Sequence, residues 1–146
     1  MASEVIHVGA LSVRFLVEAE ESGGSVAVFE LTVPAAARVP APHSHDGYEE
    51  TIYGLTGIST WTVDGEATDI ASGEALCIPR GAVHAFDNRG EVDATALAVV
   101  TPGLLGPDYF REVGAVLATA GASSPDFAVL GEVMSRHGLT PARPTR

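Results

Sequence analysis

The chain has 146 residues, a length that suits one domain with a core that needs no disulfides. It carries 8 lysines and arginines against 19 aspartates and glutamates, which gives a net charge of −11. Such a chain repels phosphate backbones and anionic lipid, so nucleic acid and membrane surfaces are disfavoured as partners. The acidity says little about the substrate, and solubility is its simplest explanation.

Cys77 is the single cysteine, so an internal disulfide is excluded and we expect a buried, inert thiol. The N-terminal residues lack the basic and apolar stretches of a secretory signal. No apolar run approaches the length of roughly 18–20 residues that spans a bilayer. These features predict a cytoplasmic protein.

The first hundred residues have the pattern of short strands separated by turns. Runs rich in β-branched and aromatic residues predict strands over 13–17, 26–33, 50–55, 58–63, 75–79, 84–87 and 93–101. Asp64-Gly65 predicts a type I′ hairpin, because both central residues of that turn need a positive φ. Pro34 to Pro42 is interpreted as an extended loop. Many short strands at this spacing are typical of a β-sandwich or a closed barrel.

Beyond Thr101-Pro102-Gly103 the apolar residues recur at helical spacing. One helix is predicted behind Asp108 as N-cap, and another behind Ser124 as N-cap with Pro125 at its first position. The apolar stripes are Tyr109, Phe110, Val113, Val116, Leu117 and Ala120, then Phe127, Leu130, Val133, Met134 and His137, ended by Gly138 and Pro141. Such helices cover part of a barrel, so we predict one domain with a barrel over 1–102 and a helical extension over 103–146.

Two histidines two residues apart, His43 and His45, share one face if their segment is extended. Taken alone, such a pair is more typical of a protein surface. Glu50 follows five residues later, where straight alternation would place it on the opposite face. A bend is therefore needed, and Asp46-Gly47 is a turn-forming pair that supplies one.

A third histidine, His84, follows a series of turn residues. Gly73 permits a tight turn into a strand, Pro79 ends strand pairing, and Gly81 lets the chain turn so that His84 points inward. Asn88 lies four residues after His84. This arrangement places another donor opposite the first three, so we expect His43, His45, Glu50 and His84 to bind one metal ion.

These spacings resemble the two sequence motifs of the cupin superfamily. The first motif is similar to Gly-x5-His-x-His-x3–4-Glu-x6-Gly, and this chain matches it through Gly57 with Ala37 in place of the opening glycine. The second, Gly-x5-Pro-x-Gly-x2-His-x3-Asn, is matched in full by residues 73–88. The resemblance implies an all-β jelly-roll barrel of the cupin type with a short C-terminal helical extension.

Three imidazoles and one carboxylate suit Fe, Ni, Mn, Co, Cu or Zn as divalent ions, and the ligand types do not choose among them. If the metal is six-coordinate, four protein ligands leave two adjacent positions for substrate, water or dioxygen. The alternative is an intact site that holds an adventitious metal without chemistry.

The whole chain, including its helical tail, is similar to small bacterial single-domain cupins of the quercetin 2,3-dioxygenase type. That resemblance implies a homodimeric dioxygenase that binds an enolic or phenolic ring compound at the metal, with Glu50 as ligand and catalytic base. Tyr53, Trp61 and Phe86 flank the motifs and are predicted pocket residues, although aromatic strand residues are often plain core. Two alternatives stay open: a metal-assisted isomerase or cyclase that uses no dioxygen, and a non-catalytic small-molecule-binding cupin.

Overall fold

A computed structural model describes residues 4–37, 42–121 and 123–142. Its strands are β1 (Val5–Val8), β2 (Leu11–Val17), β3 (Ala27–Val33), β4 (His43–His45), β5 (Glu49–Thr56), β6 (Ser59–Val63), β7 (Glu66–Ile70), β8 (Ala75–Ile78), β9 (His84–Asp87), β10 (Ala94–Thr101) and β11 (Leu139–Pro141). Its α-helices are α1 (Pro107–Ala120) and α2 (Phe127–Arg136), and a 3₁₀ turn at Ala19–Ser22 joins β2 to β3.

The strands form two antiparallel sheets that enclose the core. One sheet has the order β1-β2-β3-β10-β5-β8, and the other has the order β11-β4-β9-β6-β7. Neighbours in each sheet are mostly distant in sequence, as in a jelly roll. The predicted all-β jelly roll with a C-terminal helical extension is confirmed.

The centre of the larger sheet shows why this pattern of residues forms strands. Along β3 and β10, buried residues alternate with half-buried ones, as the period of two requires. Small residues of β10 lie opposite large residues of β3: Ala98 pairs with Phe29, and Ala96 pairs with Leu31. This alternation of sizes lets the inward face of the sheet pack closely within the barrel.

All seven strands predicted from the sequence are present, and the Asp64-Gly65 hairpin is confirmed by φ angles of 47° and 85°. Strands β1, β4, β7 and β11 were not among the predicted strands, although an extended His43–His45 segment was the condition for the shared face. Strands β1, β7 and β11 lie at edges of their sheets, and all four strands are three to five residues long, so their patterns are weak. Of the proposed loop over 34–42, residues 38–41 lie outside the described part of the chain.

The helix starts differ from the predicted ones. Helix α1 has Gly106 as N-cap and Pro107 in its first turn, so Asp108 lies inside the helix. Helix α2 is capped by Asp126, whose carboxylate accepts hydrogen bonds from the backbone N–H groups of Ala128 and Val129, so the predicted cap at Ser124 is wrong. Neither helix is long and apolar enough to cross a bilayer, and no other helix in the described ranges is.

The helical extension packs directly against the barrel. The Phe110 ring lies 5.8 Å from the Phe15 ring and 5.1 Å from the Phe29 ring. A Cβ at Gly114 would lie 2.4 Å from the His7 carbonyl oxygen, so glycine allows α1 to rest on β1. Glu112 joins the helices, because its carboxylate accepts from Arg136 at 3.0 Å and pairs with His137 Nε2 at 2.5 Å.

Cys77 lies on β8, which is an edge strand, and its side chain is exposed. The expectation of a buried thiol is therefore wrong. Alternation along β8 explains the difference: Ile78, which pairs with Glu50, is buried, so the neighbouring Cys77 faces outward.

Candidate metal centre

Three imidazoles converge where two strands of the smaller sheet meet. His43 and His45 lie on β4, and His84 opens β9 and pairs with His43 in the antiparallel ladder. One nitrogen from each ring lies within 4.8 Å of the others, and the ring centroids are 4.5 to 5.3 Å apart. The period of two along β4 therefore puts both rings on one face, as predicted.

The turn before β9 holds the two histidine segments together. Gly81 has a φ of 84°, which an L side chain rarely adopts, and its N–H donates to the His45 carbonyl at 2.8 Å. His84 Nδ1 lies 3.0 Å from the Ala82 carbonyl oxygen, to which it donates. This hydrogen bond sets the tautomer and leaves the Nε2 lone pair of His84 available to a metal.

Two of the imidazoles are kept neutral by their surroundings. Burial, followed by the adjacent rings of His84 and His43, lowers the pKa of His45 to about 2. Burial also lowers the pKa of His84. Since a histidine must be neutral to ligate, His45 and His84 are in their metal-binding form at neutral pH.

Glu50 reaches the same cluster from the larger sheet. The chain bends at Asp46-Gly47, and Glu50 Oε2 then lies 3.5 Å from His45 Nε2. The side chain is buried, and burial raises its pKa to about 7. Its neighbour Glu49 faces outward and pairs with Arg80. The bend therefore turns Glu50 toward the histidines and leaves Glu49 on the outside.

The donor set fits a divalent transition metal. Three neutral imidazoles and a carboxylate are borderline ligands, and burial in this cluster disfavours an uncompensated carboxylate charge. A bound dication would supply the compensating charge. The described cluster consists of His43, His45 and His84, and Glu50 as a fourth ligand stays a prediction.

A cavity opens from the cluster into the barrel. The empty volume of the cavity, including the solvent-filled space at its opening, is about 710 Å³. Trp61 and Phe86, two of the predicted pocket residues, line it and face each other across β6 and β9 with their rings stacked at 4.5 Å. The Trp61 indole N–H donates to Ser59 Oγ at 2.9 Å, so this aromatic pair presents only apolar ring surface.

Tyr53, the remaining predicted pocket residue, lies outside the cavity lining. Its side chain is 43% exposed, on the outer face of β5. The reason is alternation: Glu50 and Ile52 point inward, so a residue at an odd separation from Glu50 points outward. Tyr53 is corrected from a pocket residue to a surface residue.

Much of the cavity wall comes from the C-terminal extension, which sequence reasoning did not assign to the site. The lining includes Leu105, Tyr109, Val113, Leu130, Met134 and Leu139. The apolar stripes of the helices indicated which faces turn inward, but a stripe does not show what it covers. Tyr48 also supports the cluster, since it is buried with its ring stacked on His45 at 4.4 Å.

Strand β11 supports the histidine strand directly. It pairs with β4 through Leu139 and His45, Thr140 and Ser44, and Pro141 and His43. Beyond the ladder, Thr140 Oγ1 donates to Asp46 Oδ1 at 2.7 Å. The described pairing of β4 with β9, by contrast, is the single residue pair His43–His84. The ligand strand therefore depends on the C-terminal extension for most of its ladder.

Comparison with known proteins agrees with this geometry. The family model of the cupin domain matches residues 29–100. Quercetin 2,3-dioxygenase from Bacillus subtilis (strain 168) is 29% identical over 102 residues, which are 69% of this chain and 29% of that protein. The chain thus spans less than a third of the length of this curated relative.

Two solved structures illustrate the shared fold. A predicted oxalate decarboxylase from Thermotoga maritima superposes with a TM-score of 0.63 at 23% identity, over 70% of this chain and 93% of that chain. A sugar phosphate isomerase of the cupin superfamily from Silicibacter pomeroyi has a TM-score of 0.56 at 23% identity, over 64% and 60%. With the motif spacing, the two sheets and the family match in agreement, the chain belongs to the cupin superfamily.

Proposed function

We propose that this chain is a metal-dependent dioxygenase that acts on a small enolic or phenolic ring compound. The metal would be held by His43, His45, His84 and Glu50. The observation that carries the proposal is the composition of the cavity. A cluster of imidazoles lies beside a buried carboxylate, and the other described lining residues are aromatic or aliphatic, with the Tyr109 hydroxyl and the Trp61 indole N–H as their polar groups.

The lining favours an apolar ring over a highly charged substrate. No lysine or arginine is among the described residues of the lining. A dicarboxylate or a sugar phosphate would bring several negative charges into this cavity with only a metal to balance them, at a large desolvation cost. An aromatic or enolic ring instead buries apolar surface, at about 25 cal/mol per Å², and can pack against the ring surfaces of Trp61 and Phe86.

Glu50 is suited to receive the hydroxyl proton of such a compound. Its carboxylate is buried, with Oε2 3.5 Å from His45 Nε2, so it would lie next to a substrate oxygen that binds at the same metal. A carboxylate oxygen of Glu50 would accept the proton as the substrate oxygen binds. The metal, when bound, would supply Lewis acidity and reactivity toward dioxygen.

The similarity to the Bacillus subtilis quercetin 2,3-dioxygenase supports the same reaction class. It covers 69% of this chain, and the family model matches residues 29–100, which contain both histidine motifs. The homodimer and the cytoplasmic location stay predictions.

Metal analysis and oxygen uptake test the proposal together. The purified protein would be analysed for metals, stripped with a chelator, reloaded with each candidate metal and supplied with a panel of phenols and enols. We expect dioxygen to be consumed in proportion to substrate, with loss on chelation and recovery with one particular metal.

Equal turnover under argon would replace the proposal with a metal-assisted isomerase or cyclase. Tight binding of panel compounds without conversion, with every metal, would instead indicate a binding protein.

The base role of Glu50 has a matched control in the next residue. Glu50→Gln keeps an oxygen that can ligate weakly but cannot take a proton, so turnover should fall by about 100-fold or more. Glu49→Gln alters a carboxylate that faces outward and pairs with Arg80, and it should keep wild-type turnover. Full activity in Glu50→Gln would remove the base role.

A further inference from the structure

The polar groups that a ligand would meet in the cavity are few. Besides the histidines and Glu50, the lining residues with a hydrogen-bonding side chain are Trp61 and Tyr109. The Trp61 N–H is already used, since it donates to Ser59 Oγ. Within the described lining, the Tyr109 hydroxyl is therefore the polar group that remains for a ligand outside the metal centre.

Tyr109 is held rigidly on α1 at the cavity wall. It is 6% exposed, and its ring packs edge-on against Phe110 at 5.1 Å and His137 at 5.5 Å. Burial raises the pKa of Tyr109, and the nearby negative charge of Glu50 raises it further. The hydroxyl therefore stays protonated at neutral pH and can donate a hydrogen bond. It is close enough to Glu50 for the carboxylate charge to act on it, and that carboxylate lies beside the imidazoles.

We propose that Tyr109 is a positioning residue that donates a hydrogen bond to a second oxygen of the ligand, while the first oxygen binds at the metal. This inference rests on the proposed function and narrows its substrate class. The preferred ring compound carries a hydroxyl group and, on the adjacent carbon, another oxygen that accepts a hydrogen bond. The rest of the compound is apolar, because the other lining residues that the structure describes offer no free polar side chain.

The binding of two ligands of nearly equal shape separates this role from simple packing. In 2-methoxyphenol the second oxygen is an acceptor, whereas 2-ethylphenol has a methylene group in its place. Each would be titrated into cobalt-loaded protein and followed by the visible spectrum of the metal. Tyr109→Phe should weaken 2-methoxyphenol about threefold to tenfold, the worth of one hydrogen bond, and leave 2-ethylphenol within about twofold.

Matched variants complete the test. Tyr53→Phe removes a hydroxyl on the outer face of β5 and should bind both ligands as the wild type does. Tyr109→Met, which also lacks the hydroxyl, should show the same selective loss, and cobalt content confirms that each centre is intact.

Equal effects of Tyr109→Phe on the two ligands, or none on either, would overturn the proposal. So would the absence of a spectral change with 2-methoxyphenol in the wild-type protein. A failure to consume dioxygen would leave these binding differences standing and would count only against the dioxygenase assignment.

Discussion

The barrel motifs and the C-terminal extension meet at one cavity but contribute different things to it. The barrel supplies the imidazoles and Glu50 from strands whose turns are set by glycine and proline. The extension supplies apolar wall from two helices and a short strand, together with the Tyr109 hydroxyl. The groups proposed for reactivity thus lie on the barrel, whereas the apolar walls come from both parts of the chain and the Tyr109 hydroxyl comes from the extension.

The two regions are not independent, because β11 pairs with β4. A change in the extension can therefore reach the metal centre through the backbone of the histidine strand. The comparison predicts that variants of the barrel motifs act on metal binding itself, whereas variants of the extension act on stability and ligand preference first.

Loss of a ligand in the barrel should have the largest effect. We expect about one transition metal per chain in the wild-type protein, and His45→Ala or His84→Ala should lose most of it. His7→Ala, which alters an exposed histidine of β1, should retain the wild-type content. Elemental analysis of the purified proteins measures this, and normal metal content in a His43 and His45 double variant would refute the assignment.

Within the extension, substitution of Leu139 should have a large effect on stability. This residue is buried, lines the cavity and pairs with His45 in the ladder between β11 and β4. Leu139→Ala should lower the free energy of unfolding by about 2–5 kcal/mol. Leu104→Ala, in an exposed leucine of the same region, should lower it by less than about 0.5 kcal/mol. Urea unfolding measures both, and a Leu139→Ala cost as small as that of Leu104→Ala would show that β11 is only loosely attached.

Glu50 should destabilise the metal-free protein in a pH-dependent way. Its folded pKa of about 7 lies above the ordinary 4.5, so between these values the folded state keeps a proton that the unfolded state releases. Stability therefore falls as pH rises from about 4.5 to about 7. Chelator-treated Glu50→Gln should be more stable than wild type by about 1–3 kcal/mol at pH 8 and similar near pH 4.5. A difference that does not change with pH would contradict this.

The smallest effect is expected where the extension bonds to the bend between β4 and β5. Thr140→Val removes the hydroxyl that donates to Asp46 and should cost about 0.5–1 kcal/mol, because Asp46 is exposed. In an Asp46→Ala background the same substitution should cost almost nothing. A double-mutant cycle of unfolding measurements tests this, and equal costs in both backgrounds would exclude the coupling.

The histidine cluster was largely predictable because its determinants are local. His43 and His45 share a face by alternation, and Gly81 and Pro79 mark the turn that delivers His84. The same alternation would also have excluded Tyr53, which lies three residues after Glu50 on one strand and so faces the other side.

The cavity wall was not predictable from the same signals. An apolar stripe on a helix shows that a face is covered but does not name the surface that covers it. Strand β11 is three residues long and ends in proline, so it has almost no alternation to detect. The hydrogen bond from β11 to the bend joins Thr140 to Asp46, which are 94 positions apart in sequence. A contact between residues so far apart produces no pattern in the sequence around either one.

The pairing of β11 with β4 also determines when, during synthesis of the chain, the histidine cluster can form. The histidine strand leaves the ribosome well before the strand that completes its ladder, and in the interval β4 has the single described pair with β9 as its sheet partner. The imidazoles therefore reach their final spacing only after the C-terminal extension has been made and has docked. Metal loading is accordingly expected to follow the docking of β11, and a metal captured earlier would meet a looser and less selective set of ligands.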